Sequence, residues 1–213
     1  MYQPITTKIC GLTREEDVDL ALTSGADYFG FIVYPGSPRA ITLERAVELA
    51  SAVPKERCVL VSVEPSSEEM ESFSAAGFGA YQIHARGEAS LASLAVWSGL
   101  AGRERLWFAP RLKPDQLFPE VILEFTDTVV MDSYSAGQVG GTGKTGDWAG
   151  FRTLRESYQA IRWILAGGIG PDNIQAALAA SGTSFVDVNS GVETAPGIKD
   201  AVQMEALYRA LHS

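Results

Sequence analysis

A chain of 213 residues with 46% hydrophobic and 20% charged residues has the make-up of an ordinary globular protein, with room for one large domain. Its formal net charge of −9 excludes a broad nucleic-acid-binding surface as its main business. No apolar run approaches a membrane span, Met1 to Thr7 lack a signal-peptide pattern, and Cys10 and Cys58 fall in separate predicted strands, as reduced cytoplasmic thiols would.

The chain opens on a short strand, Thr6–Cys10, a turn at Gly11 and a helix over Arg14–Ser24. Thr13 and Glu16 have the spacing of a capping box there. Strand and helix then alternate to the end. The further strands are predicted at Tyr28–Val33, Cys58–Val63, Ala80–His84, Leu106–Arg111, Thr128–Asp132, Arg162–Ala166 and Phe185–Asn189. The helices between and after them are predicted at Leu43–Ala52, Ser67–Ala76, Ala89–Leu100, Pro114–Phe125, Trp148–Ser157, Pro171–Ala180 and Lys199–His212. Eight such units predict a (β/α)8 TIM barrel of class α/β occupying 1–213 as a single domain. An open doubly wound sheet seldom runs to eight units in so short a chain.

Functional groups of such a barrel gather at the C-terminal ends of the strands. Cys10 and Gly11 follow strand 1, with Lys8 on the same strand face as Cys10. A nearby helix N-terminus and Lys8 would both favour a thiolate at Cys10, although free cysteines are often merely buried. The proline-stiffened loop after strand 2 carries Arg39, and strand 6 ends on Asp132 and Ser133. Gly167 and Gly168 after strand 7, with Ser190 and Gly191 after strand 8, would let backbone N–H groups approach a dianion. That pattern predicts a small phosphorylated ligand. His84 either lines the pocket or is a satisfied structural histidine, and Asp187 faces inward beside Asn189.

The run Gly140-Gly141-Thr142-Gly143-Lys144-Thr145 looks like the tail of a nucleotide-binding loop. However, the first glycine of that motif would fall on Gln138, and the run begins well past strand 6. A loop closing over substrate suits the barrel better.

Lys8-Ile9-Cys10-Gly11, Ser37-Pro38-Arg39, Gln82-Ile83-His84, the Gly140–Thr145 run with Asp147-Trp148, Leu165-Ala166-Gly167-Gly168-Ile169, and Ser190-Gly191-Val192-Glu193 with Pro196-Gly197 and Lys199 occur in order along the chain. In this combination the chain resembles the phosphoribosylanthranilate isomerase family of tryptophan biosynthesis. The resemblance implies a (β/α)8 barrel that rearranges N-(5-phosphoribosyl)anthranilate to 1-(2-carboxyphenylamino)-1-deoxyribulose 5-phosphate without metal or organic cofactor. It implies Cys10 as general base, Asp132 as general acid held protonated by burial or hydrogen bonding, and Arg39 as ligand of the anthranilate carboxylate. Gly167, Gly168, Ser190 and Gly191 map onto the family's phosphate site.

Three positions depart from the family pattern: Glu64 at the end of strand 3, Ala85 after the Gln-x-His of strand 4, and Asn189 for the first of two serines. A related sugar isomerase of histidine biosynthesis uses two aspartates, which Cys10 argues against. A non-catalytic phosphate-binding barrel is opposed by the joint presence of Cys10, Asp132 and Arg39. Either a monomer or a homodimer is compatible with the outer helices, and neither nucleic acid nor membrane is expected as a partner.

Overall fold

The computed structural model describes residues 4–85, 89–112, 116–132 and 147–212. Strands β1 (Thr6–Ile9), β2 (Tyr28–Ile32), β3 (Cys58–Val63), β4 (Ala80–His84), β5 (Leu106–Ala109), β6 (Thr128–Asp132), β7 (Arg162–Ala166) and β8 (Phe185–Val188) form a closed parallel barrel in chain order. The seam between β1 and β8 sets Lys8 opposite Asp187. The expected (β/α)8 architecture is therefore the architecture found.

Alternation along the strands sorts the apolar residues into two cores. Ile9, Phe29, Phe31, Leu60, Ile83, Phe108, Leu165 and Val186 point outward and pack under the helices. Val59, Val61, Trp107, Val130, Ile164 and Phe185 point into the barrel. Near the N-terminal ends of the strands the interior is filled by three aromatic rings. Tyr28 lies 5.1 Å from Trp107 and 5.4 Å from Phe185, and the last two are 5.6 Å apart. These centroid distances are those of favourable edge and offset contacts.

The outer helices are α1 (Glu15–Ser24), α2 (Leu43–Ala50), α3 (Ser67–Ala76), α4 (Leu91–Ala101), α5 (Trp148–Ser157), α6 (Ile174–Ser181) and α7 (Ala201–Leu211). Their starts are chemically marked. Thr42, Ser66, Ser90, Asp147 and Asp200 each cap a helix through a side-chain oxygen, and Ser66 with Glu69 completes a capping box.

Three expectations need correction. The capping box at Thr13 and Glu16 is not formed. The Thr13 hydroxyl instead donates to the Gly197 carbonyl at 2.6 Å, and α1 starts one residue later than Arg14 without a side-chain cap. Three acidic residues in its first turn supply the charge complement instead. Of the helix predicted over Pro114–Phe125, the described residues form only a 3-10 turn, Glu120–Glu124; Pro119 lacks the N–H that a continuous helix needs. Leu117 in the approach to that turn is 89% exposed. Finally, Lys199 does not open the last helix. It belongs to a small antiparallel pair, β9 (Glu193–Ala195) with β10 (Ile198–Lys199), that the sequence patterning did not reveal.

No helix among the described residues is long and apolar enough to cross a membrane. The aromatic packing makes one stability prediction. Trp107→Ala should lower unfolding free energy by about 3–5 kcal/mol in urea titration; a loss under about 1 kcal/mol would show that the rings do not act as one packed unit.

Candidate active site

The floor of the site is a charged group with no exposed surface. Lys8 Nζ donates to Asp187 Oδ2 and to Gln82 Oε1, both at 2.9 Å. Burial is the largest single influence on Lys8 and favours the neutral amine. Asp187 and Cys10 together outweigh it, so the Lys8 pKa moves upward and the ammonium persists. Because Gln82 turns its carbonyl oxygen to Lys8, its amide nitrogen is the end that meets His84 Nε2, at 2.8 Å. That contact requires an unprotonated Nε2, with the ring proton on Nδ1. Burial and then the Lys8 charge push the His84 pKa down, which agrees with a neutral ring. Asp187 Oδ1 is buried with no hydrogen-bond partner among the described residues.

Cys10 stands directly above this floor, buried and adjacent to Lys8. Burial works against the expected thiolate. Burial pushes the thiol pKa up, Lys8 opposes it, and Asp187 adds to the upward shift. Room for the sulfur comes from Gly30 in the middle of β2. A Cβ at that position would lie 2.8 Å from both Cys10 Sγ and Lys8 Cε. This glycine serves space rather than backbone conformation, and only its place inside an otherwise bulky strand, Tyr28-Phe29-Gly30-Phe31-Ile32, hints at it in sequence.

Asp132 closes β6, opposite Ala166, and acts electrostatically on His84. Of the two means expected to hold Asp132 protonated, burial or hydrogen bonding, burial is not found, because Asp132 is the last strand residue at the rim and is exposed. Ser133 and the Gly140–Thr145 run lie outside the described residues.

Arg39 sits at the same end of the barrel, and its Nε and Nη2 donate to the Glu193 carboxylate at 2.6–3.0 Å. Glu193 is also met by Lys199 Nζ at 2.8 Å and by the Gly197 N–H at 3.1 Å. Burial would raise the Glu193 pKa, but Arg39 and Lys199 hold it below the usual carboxylate range. Lys199 Nζ also donates to Oδ1 of Asn189, the residue at one departure from the family pattern, at 3.0 Å. Gly11 keeps this crossing open, since a Cβ there would lie 2.7 Å from Arg39 Cδ and from Asn189 Oδ1.

Gly167 and Gly168 both have positive φ, 90° and 63°, so the loop after β7 requires them. Ser190 and Gly191 fall in a 3-10 turn after β8, packed so closely that a Gly191 Cβ would lie 2.1 Å from the Ile169 carbonyl oxygen. The two glycine-bearing loops thus lie against each other. All the predicted site residues are at the C-terminal end of the barrel; Gly30, Glu193 and Lys199 join them without having been assigned roles from sequence.

Fold and site together place the chain among the (β/α)8-barrel enzymes whose ionisable groups stand at the strand C-terminal ends. The family model for N-(5'-phosphoribosyl)anthranilate isomerase matches residues 7–210. The isomerase of Zymomonas mobilis subsp. mobilis is 33% identical, covering 97% of this chain and 98% of the relative. Among solved structures, TrpF from Jonesia denitrificans matches at a TM-score of 0.76 and 28% identity, over 98% of this chain and 97% of its own. A phosphoribosylanthranilate isomerase in complex with reduced 1-(o-carboxyphenylamino)-1-deoxyribulose 5-phosphate matches at 0.72 and 26%, over 98% of both chains. The chain belongs to the N-(5'-phosphoribosyl)anthranilate isomerase family, a family of intramolecular aldose–ketose isomerases.

The balance at Cys10 is open to direct measurement. A thiol is neutral below its pKa and a thiolate above it, so an upward shift leaves less thiolate at neutral pH than an ordinary cysteine has. In the free protein, carbon-13 NMR of labelled cysteine should show Cys10 ionising above the usual thiol range, with Cys58→Ser identifying its signal. A midpoint below about 7.5 would mean that Lys8, not burial, decides.

Proposed function

We propose that this protein catalyses the Amadori rearrangement of N-(5-phosphoribosyl)anthranilate to 1-(2-carboxyphenylamino)-1-deoxyribulose 5-phosphate in tryptophan biosynthesis. The observation that carries this reading is the grouping, in a member of this family, of a thiol beside a fixed ammonium with Asp132, Arg39 and two glycine loops. The anionic ends of the substrate fit the two outer subsites. Arg39 meets the anthranilate carboxylate as a guanidinium fork, and Gly167, Gly168, Ser190 and Gly191 surround the phosphate with backbone N–H groups.

The chemistry between those anchors is a pair of proton transfers. Asp132 donates a proton to the ribose ring oxygen, the C1–O bond breaks, and the aniline nitrogen forms a Schiff base with C1. Cys10 then removes the proton from C2, and the electron pair moves to give an enolamine. Protonation at C1 and ketone formation at C2 complete the isomerisation. C1 is reduced and C2 oxidised within one molecule, so electrons balance internally.

For Cys10 to act as a base it must lose its proton in a site whose burial opposes that loss. Lys8 stabilises the thiolate at close range, and Asp187 with Gln82 keeps the ammonium fixed beside it. Proton-transfer groups in such positions typically contribute ~10²–10⁴ in rate each.

The test follows consumption of freshly generated phosphoribosylanthranilate by its fluorescence. Wild type should consume it, whereas Asp132→Asn and Cys10→Ser should each lose about 10²–10⁴ in turnover while still binding the reduced product analogue. Full turnover in either variant would remove that residue from its role. No consumption by wild type, with the analogue still bound, would instead make the chain a binding barrel.

A further inference from the structure

We propose that Glu193 is a positioning residue for substrate selection: it engages the Nε–Nη2 edge of Arg39 and thereby presents the remaining end of the guanidinium to a ligand carboxylate. This inference rests on the assignment of Arg39 as the carboxylate ligand. An arginine has five N–H donors in a rigid plane, and one carboxylate occupies one edge of it. Glu193 takes Nε–H and one hydrogen of Nη2. What remains for a second carboxylate is the end-on edge formed by Nη1 and the other Nη2 hydrogen.

Glu193 does not act as a stand-in that the ligand displaces. Its carboxylate is anchored independently by Lys199 Nζ and by the Gly197 N–H, and its side chain is only 4% exposed. Lys199 in turn is tied to Asn189, and its own N–H donates to Asp17 Oδ1 at 3.2 Å. The whole assembly belongs to the β9–β10 pair rather than to a free side chain. Arg39 and Lys199 contribute two positive charges and Glu193 one negative, leaving a single positive charge to match one carboxylate.

The same residue also links the two anion subsites. Glu193 directly follows the Ser190–Val192 turn, so the loop proposed for phosphate and the anchor of the arginine fork are adjacent in the chain. With β8 below and β9 beyond, their separation is set by backbone. A ligand with a phosphate and a carboxylate at the matching distance engages both; one lacking the carboxylate engages only the first.

The test compares Glu193→Gln, Arg39→Ala and the double variant, using phosphoribosylanthranilate for kinetics, the reduced product analogue for binding and inorganic phosphate as an inhibitor. Glu193→Gln should raise KM by about tenfold or more, with kcat within about threefold and phosphate inhibition within about twofold. In the double variant, KM should rise no further than in Arg39→Ala alone, because the glutamate acts through the arginine. Additive effects, a fall in kcat at constant KM, or an equal weakening of phosphate would overturn the proposal. An unchanged KM in Arg39→Ala would instead defeat the underlying carboxylate assignment. If Glu193→Gln does not fold, Glu193→Asp, which retains the charge but withdraws the carboxylate by one methylene, should shift KM in the same direction by a smaller factor; no shift in KM there would overturn the proposal.

Discussion

An ammonium group in the interior of a barrel is tolerable only when its partners are in place before it. Lys8 has such partners because barrel closure itself supplies one. The β1–β8 seam that turns a sheet into a barrel sets Lys8 against Asp187, and β4 brings Gln82 to the same level. Removing one member of a buried pair commonly costs about 3–5 kcal/mol, because the other is left charged and unpaired. The floor of the candidate site and the closure of the fold therefore depend on one contact. Everything above it takes its place from there: the sulfur of Cys10, the orientation of the Gln82 amide and the neutral ring of His84.

Two opposing pressures meet at Cys10. Burial keeps the sulfur protonated, while a fixed charge beside it favours its ionisation. A deeply buried thiol without Lys8 would stay inert, and an exposed thiolate would be open to oxidation and side reactions. Gly30 permits the compromise by yielding the volume that any side chain would occupy. Around the rim a different economy of charge holds, in which Glu193 neutralises part of a cationic pair and the residual charge faces outward.

The barrel was readable in the sequence because its strands are apolar, short and regularly spaced; the one capping signal used, Thr13 with Glu16, marked the right place for α1 although the box is not formed. The fifth unit misled for a local reason. Its residues have helical composition, but Pro119 interrupts the ladder, and its interior position was the available warning. Cys10, Asp132, Arg39 and the glycine loops could be placed at one end by strand order alone. Their electrostatic state could not, because it depends on contacts across the barrel. Lys8 and Asp187 are 179 residues apart in sequence, and Arg39 and Glu193 are 154 apart. The β9–β10 pair was missed because two strands of three and two residues are too short to show any periodicity.

The aromatic packing of Tyr28, Trp107 and Phe185 has a kinetic side as well as an energetic one. Those rings occupy the barrel axis near the strand N-terminal ends, away from Cys10. In the proposed reaction substrate and product would then both use the opposite mouth, so that a product molecule still there bars the next substrate and the pace of its release bounds turnover.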